Sequence, residues 1–152
     1  MKKQCRRKVY KLINPIAMAI EGAYITPQET IKTLSDRETE AINAMMTGKG
    51  NLSYWQTIVD MCNLSQVMGR NGVGPECLPD CVMAEIELKA AAKRYEKTGK
   101  MGLTAIGIRS VQQVQEWHDL QRKSISRSEY EKMIVKTLNR LRSRAKDVHV
   151  IA

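Results

Sequence analysis

Three segments of this chain read as helix-capping boxes, a serine or threonine followed three residues later by glutamate or glutamine and placed ahead of apolar residues that recur every three or four positions. The segments are Thr26-Pro27-Gln28-Glu29, Ser53-Tyr54-Trp55-Gln56 and Ser126-Arg127-Ser128-Glu129. In such a box the hydroxyl accepts from the backbone N–H three residues on, and the longer side chain reaches back to the first N–H. Two donors that a helix start leaves unpaired are thereby satisfied. A chain punctuated this way is constrained to be all-α, and the periodic stretches between the boxes predict a compact bundle of about six helices.

The first is short: Asn14-Pro15 caps it, Gly22 stops it, and Ile16, Met18, Ala19 and Ile20 make it apolar on most sides. The second spans 26–48, with Ile31, Leu34, Ala41, Ile42, Met45 and Met46 inward and Asp36, Arg37, Glu38 and Glu40 in water. The third opens at Ser53 and runs to about Arg70. Its apolar residues cover more than half its circumference, so it is buried on two sides or lies in a subunit interface. From Gly74 to Lys100, Cys77, Cys81, Ala84, Leu88, Ala91 and Tyr95 alternate steps of four and three. This narrow, small-residue face lets neighbours approach closely and predicts the central helix. Thr104 caps the fifth, with Leu103 and Ile108 as a hydrophobic staple and Val111, Val114, Trp117, His118 and Leu120 along it. Ile125 and Tyr130 staple the last, whose inward positions are Tyr130, Ile134, Leu138, Leu141 and Ala145.

At 152 residues the chain is the size of one domain. Residues 14–152 are expected to form it, after a basic arm at 1–13 that carries Lys2, Lys3, Arg6, Arg7, Lys8 and Lys11. No apolar run approaches the roughly 18 residues of a membrane span, and the basic start leads into no signal-peptide core. A cytoplasmic protein without membrane contact is expected, with Cys5, Cys62, Cys77 and Cys81 as free thiols. Cys77 and Cys81 lie one helical turn apart, but a zinc site takes four ligands and only Cys5, Cys62, His118 and His149 remain to complete it. Buried thiols without metal are the expectation. His118-Asp119 lacks the further ligands of a metal phosphohydrolase, so His118 is expected to be hydrogen-bonded near a helix interface. The glycines from Gly69 to Gly74 are followed by no Lys-Ser or Lys-Thr, so they mark a turn and not a phosphate loop. With neither a triad nor convergent carboxylates, the chain reads as a non-enzyme that needs no cofactor.

A net charge of +9 favours an anionic partner, nucleic acid or an acidic protein face. Lys132, Lys136, Arg140 and Arg144 fall at steps of four in a stripe roughly 18 Å long, which Arg142 and Lys146 broaden. Like charges at this spacing repel by a few tenths of a kcal/mol per pair, roughly, which a negatively charged partner relieves; the competing reading is a solvated cationic face. The arm suits nonspecific phosphate contact. The wide apolar face of the third helix, through Trp55, Ile58, Val59, Cys62 and Met68, predicts a homodimer.

Asn14-Pro15-Ile16-Ala17, the segments Arg94-Tyr95-Glu96 to Lys100-Met101-Gly102-Leu103, His118-Asp119-Leu120-Gln121-Arg122, and Ser124 through Tyr130 carry a resemblance that spans nearly the whole chain. The chain resembles a family of small basic all-helical proteins encoded on phages and other mobile elements of proteobacteria, a setting that includes helical anti-CRISPR proteins directed at the type I-F system. The resemblance implies a stoichiometric inhibitor that binds the host CRISPR-Cas surveillance complex or the helicase-nuclease it recruits. Anti-CRISPR proteins share no common fold or signature, so it assigns no residue a role. The competing reading is a phage or plasmid DNA-binding transcriptional regulator. That reading calls for a helix-turn-helix with base-reading polar residues, which no pair of these helices displays clearly.

Overall fold

The computed structural model of the chain describes residues 28–143. Among them the backbone forms five helices: α1 Gln28–Met46, α2 Leu52–Arg70, α3 Leu78–Thr98, α4 Ala105–Ser124 and α5 Arg127–Ser143, with a 3₁₀ turn at Pro75–Cys77 before α3. Between described residues the only extended pairing is a single antiparallel bridge, Gly50 to Met101. The sixth expected helix, at 14–22, lies outside the described residues, as do the arm with Lys2, Lys3, Arg6, Arg7, Lys8 and Lys11, the cap at Thr26, and Arg144, Ala145 and His149.

Two of the helix starts form as the sequence predicts. The Glu129 N–H donates to Ser126 Oγ at 3.2 Å and the Ser126 N–H to Glu129 Oε1 at 3.3 Å, a reciprocal box. The Gly107 N–H donates to Thr104 Oγ1 at 3.1 Å. The third differs: the cap of α2 falls two residues before the predicted one at Ser53, because Asn51 is extended and its Oδ1 accepts from the Tyr54 N–H at 2.8 Å. An asparagine caps as well as a serine, and the earlier cap adds backbone hydrogen bonds. α3 ends where Gly99 turns left-handed, at φ 74°, and gives its N–H to Tyr95 O at 2.8 Å.

α2 and α4 make the middle pair, with α1 and α3 flanking them and α5 packed chiefly on α2. The central element is therefore α2, which touches each of the other four, and not the predicted stretch 74–100. The reason is face width. α3 buries only Cys81, Ala84, Leu88 and Ala91, a strip that seats against one pair of neighbours. α2 buries seven apolar side chains, Trp55, Ile58, Val59, Met61, Cys62, Val67 and Met68, and needs partners on both sides. Trp55 reaches α3 and donates its indole N–H to Leu88 O at 3.0 Å. Of the two readings of this helix, burial on two sides is the one realised. Trp55, Ile58, Val59, Cys62 and Met68 are 8%, 0%, 0%, 2% and 0% exposed within one chain, so they are core and not a dimer interface.

Other inward assignments change as well. On α5 the buried and half-buried side is Tyr130, Met133, Thr137 and Leu141, while Ile134 and Leu138 are exposed. Tyr130, locked into the cluster with Ile125 and Met68, sets the rotation of the helix; Thr137 turns its hydroxyl back onto Met133 O at 2.8 Å and so can be buried. Leu120 and Met46 face outward, and Glu38 faces inward.

Candidate functional site

Glu38 is buried because it lies on the stripe that Ile31, Leu34, Ala41 and Met45 define, and a helix does not let one position of a stripe turn away. Arg122 occupies the corresponding place on α4, four residues past His118 on the line through Val111 and Val114. The two meet in a fork: Nη1 donates to Glu38 Oε2 at 3.0 Å and Nη2 to Oε1 at 2.7 Å. Nη2 also donates to Asp119 Oδ1 at 2.7 Å. Burial pushes the Glu38 carboxyl above its ordinary value, and Arg122 pulls it part of the way back. Burial works against the Arg122 charge too, but the hydrogen bonds and charges of Glu38 and Asp119 outweigh it and keep the guanidinium ionised.

Beside this pair His118 is fully buried. Its Nδ1 lies 2.9 Å from Gln121 Oε1. The Gln121 amide is oriented by its own donors, since Nε2 donates to Ser65 O at 3.1 Å and Val73 O at 2.8 Å while Oε1 accepts from Ser65 Oγ at 2.9 Å. An oxygen facing Nδ1 makes Nδ1 the protonated nitrogen and leaves Nε2 with its lone pair. Burial, with the Arg122 charge adding to it, lowers the His118 pKa to about 3, so the ring is neutral. Nε2 and Arg122 Nε are both buried, with no hydrogen-bond partner among the described residues. Both residues line a recess of about 240 Å³ between α1, α2, α4 and α5. Leu34, Met61 and Leu64 are its apolar walls, and Arg37, Thr57 and Asp60 stand at its mouth.

The cysteines fall in the core. Cys62, Cys77 and Cys81 are free and buried, and Cys5 lies outside the described residues. The Cys77 sulfur sits 3.4 Å from both Ser65 O and Gln121 Nε2, and a Cβ on Gly69 would stand 2.8 Å from it. No group of three or more His, Cys, Asp and Glu among the described residues has the arrangement to hold a metal.

The basic stripe is partly dismantled. Lys132 and Arg142 are exposed, but Lys136 donates to Asn71 Oδ1 at 2.8 Å at the end of α2, and Arg140 is half-buried. At 100° per residue, Val135 and Arg142 share the outermost side of α5, with Lys132 and Lys136 on one flank and Ile134 and Leu138 on the other. Val135 is 55% exposed, Leu138 49% and Ile134 36%, so an apolar strip lies in the open beside the cations. A wider recess of about 640 Å³ opens where α1 and α3 end, between Gly48, Gly50 and residues 98–104. Its cations are tied to structure: Arg94 donates to Gly102 O at 3.2 Å, and Lys100 follows a helix C-terminus, where a cation offsets the dipole.

The sequence reading missed the Glu38–Arg122 pair and the outward apolar strip. A carboxylate on an otherwise apolar stripe was the available signal for the first, while the second depends on how α5 is rotated. The described residues form an all-helical bundle in which the outer side of α5 is basic and apolar and a recess lined by Glu38, His118 and Arg122 lies between α1, α2, α4 and α5. Comparisons with protein-family models, curated proteins and solved structures give no match to the chain. No described helix is long and apolar enough to cross a membrane.

Proposed function

We propose that the protein acts by binding, without catalysis or cofactor, and that the outer face of α5 docks on an acidic protein surface of a host nucleic-acid-processing complex. The observation that carries this reading is the open strip of Ile134, Val135 and Leu138 beside Lys132, Lys136 and Arg142. A DNA backbone offers phosphates to the cations but nothing that buries three apolar side chains; a protein surface offers both. Cations at the rim then steer the encounter, and the apolar side chains hold the complex. The resemblance to helical anti-CRISPR proteins supports taking the type I-F surveillance complex, or the helicase-nuclease it recruits, as the first partner to test. Inhibition is then by occupation of a surface.

The test is binding of the purified protein to each of these assemblies and to duplex DNA in roughly 0.15 M salt, where charges beyond about 8 Å are screened. Val135→Asp is expected to speed dissociation from the complex, and Lys132→Ala with Lys136→Ala to slow association. Tight, sequence-selective binding to free duplex would favour a DNA-binding regulator instead. Loss of affinity on charge removal with no effect of Val135→Asp would also refute the docking face.

A further inference from the structure

We propose that the outer side of α3 joins two copies of this chain, their α3 helices antiparallel about a twofold axis at Ile86. The proposal does not depend on what α5 docks against. At 100° per residue, the strip that α3 buries, Cys81, Ala84, Leu88 and Ala91, leaves Ile86 at the centre of the opposite side. Val82, Met83 and Ile86 stand there 49%, 45% and 54% exposed, with the half-buried Ala90 one turn further on. Large apolar side chains grouped on one open helix side mark an interaction surface.

Charge decides what covers it. From Glu76 to Glu87 the chain carries four carboxylates, Glu76, Asp80, Glu85 and Glu87, and no cation. From Leu88 to Lys100 it carries five cations, Lys89, Lys93, Arg94, Lys97 and Lys100, against Glu96 alone. Asp80 and Glu87 are held by α4, through the Trp117 indole N–H at 2.8 Å and the Thr104 hydroxyl at 3.0 Å, and Glu85 is bridged to Lys89 at 3.0 Å. Glu76, Lys93 and Lys97 are exposed. The 3₁₀ turn that holds Glu76 runs straight into α3, so Glu76 and Lys97 lie at nearly equal distances on either side of Ile86, about 16 Å. A twofold axis at Ile86 therefore sets Glu76 of each copy against Lys97 of the other and Val82 of each against Ala90 of the other. Lys93 falls over Pro79, where its aliphatic stem covers the ring.

Other occupants fit this side less well. Residues 1–27 hold six cations against Glu21, and residues 144–152 hold two against Asp147, so either stretch would meet Lys89, Lys93 and Lys97 with like charge. A nucleic acid backbone would pair with those lysines and leave Val82, Met83 and Ile86 in water. One helix pair makes an interface at the low end of the size range, so the dimer is expected to form and dissociate with concentration.

Sedimentation velocity of the full chain from about 5 to 500 μM tests this, since a weak dimer titrates across that range. The mass should rise from the 17.2 kDa of one chain toward twice that value. Ile86→Asp should hold it at one chain throughout with an unchanged circular dichroism spectrum, because the side chain it replaces is exposed. Glu76→Lys and Lys97→Glu should each weaken the dimer at least several-fold, and the two changes in one chain should restore it. A wild-type protein that stays monomeric would overturn the proposal, and so would a dimer that survives Ile86→Asp or is lost with Val135→Asp instead. Should Ile86→Asp disturb the fold, the charge pair decides: single changes without effect, or a double change that restores nothing, would remove the axis from Ile86.

Discussion

Arg122 and Glu38, 84 positions apart in the chain, face each other through two hydrogen bonds of 3.0 and 2.7 Å at a site where the arginine side chain is 1% exposed. The pair joins α1 to α4 across the middle of the bundle. Its own net contribution to stability is small, because the attraction has to offset the desolvation of two ions. Breaking it is another matter.

Arg122→Ala is expected to cost about 3–5 kcal/mol, since it leaves the Glu38 carboxylate buried without its partner. Replacing both together, Arg122→Met with Glu38→Leu, should recover most of that loss. Urea denaturation followed by circular dichroism measures all three proteins; a double variant as unstable as the single one would contradict the reasoning.

Acid should unfold the protein partly through His118. Its pKa falls from an ordinary 6.5 to about 3 in the fold, so the unfolded chain takes up the proton first. The stability it contributes is full above pH 6.5 and is lost as pH drops toward 3, by up to about 1.4 kcal/mol per unit. Glu38 works in the opposite sense. Its raised pKa contributes stability below its ordinary 4.5 that is lost as pH rises, and so offsets part of the acid effect. Between pH 6.5 and 4.5 the slope in wild type should be visibly steeper than in His118→Gln, as read from denaturation midpoints at several pH values.

Thiol chemistry should report the fold. Cys62, Cys77 and Cys81 are 2%, 0% and 2% exposed. In a Cys5→Ser protein, a disulfide reagent should therefore release almost no signal natively and three equivalents after denaturation. Rapid native reaction of even one thiol would place it outside the core.

Substitution of Trp55 should act on stability and not on association. Trp55→Ala removes a side chain packed against Ile58, Leu88 and their neighbours and is expected to cost about 3–5 kcal/mol. Trp55→Phe, which keeps the ring and loses only the bond to Leu88 O, should cost less. Light scattering beside the denaturation curves decides the point. A change in mass at unchanged stability would return Trp55 to a subunit interface.

The sequence by itself determined the helices. The Ser126 box, the Thr104 cap, the left-handed Gly99 and the alternating steps from Cys77 to Ala91 are local arrangements, and local hydrogen bonding and 3.6-residue periodicity dictate them within a few residues. Tertiary structure alone decided which helix lies at the centre and which face of each turns inward. Periodicity says that α5 has an apolar side. It does not say that Tyr130 and Met133 would turn in while Ile134, Val135 and Leu138 stay out, because that rotation follows from packing against α2. The recess has the same origin. Its floor joins Glu38 to His118 and Arg122 across some 84 residues of chain, and a contact between helices so distant in sequence leaves no spacing for a pattern to record.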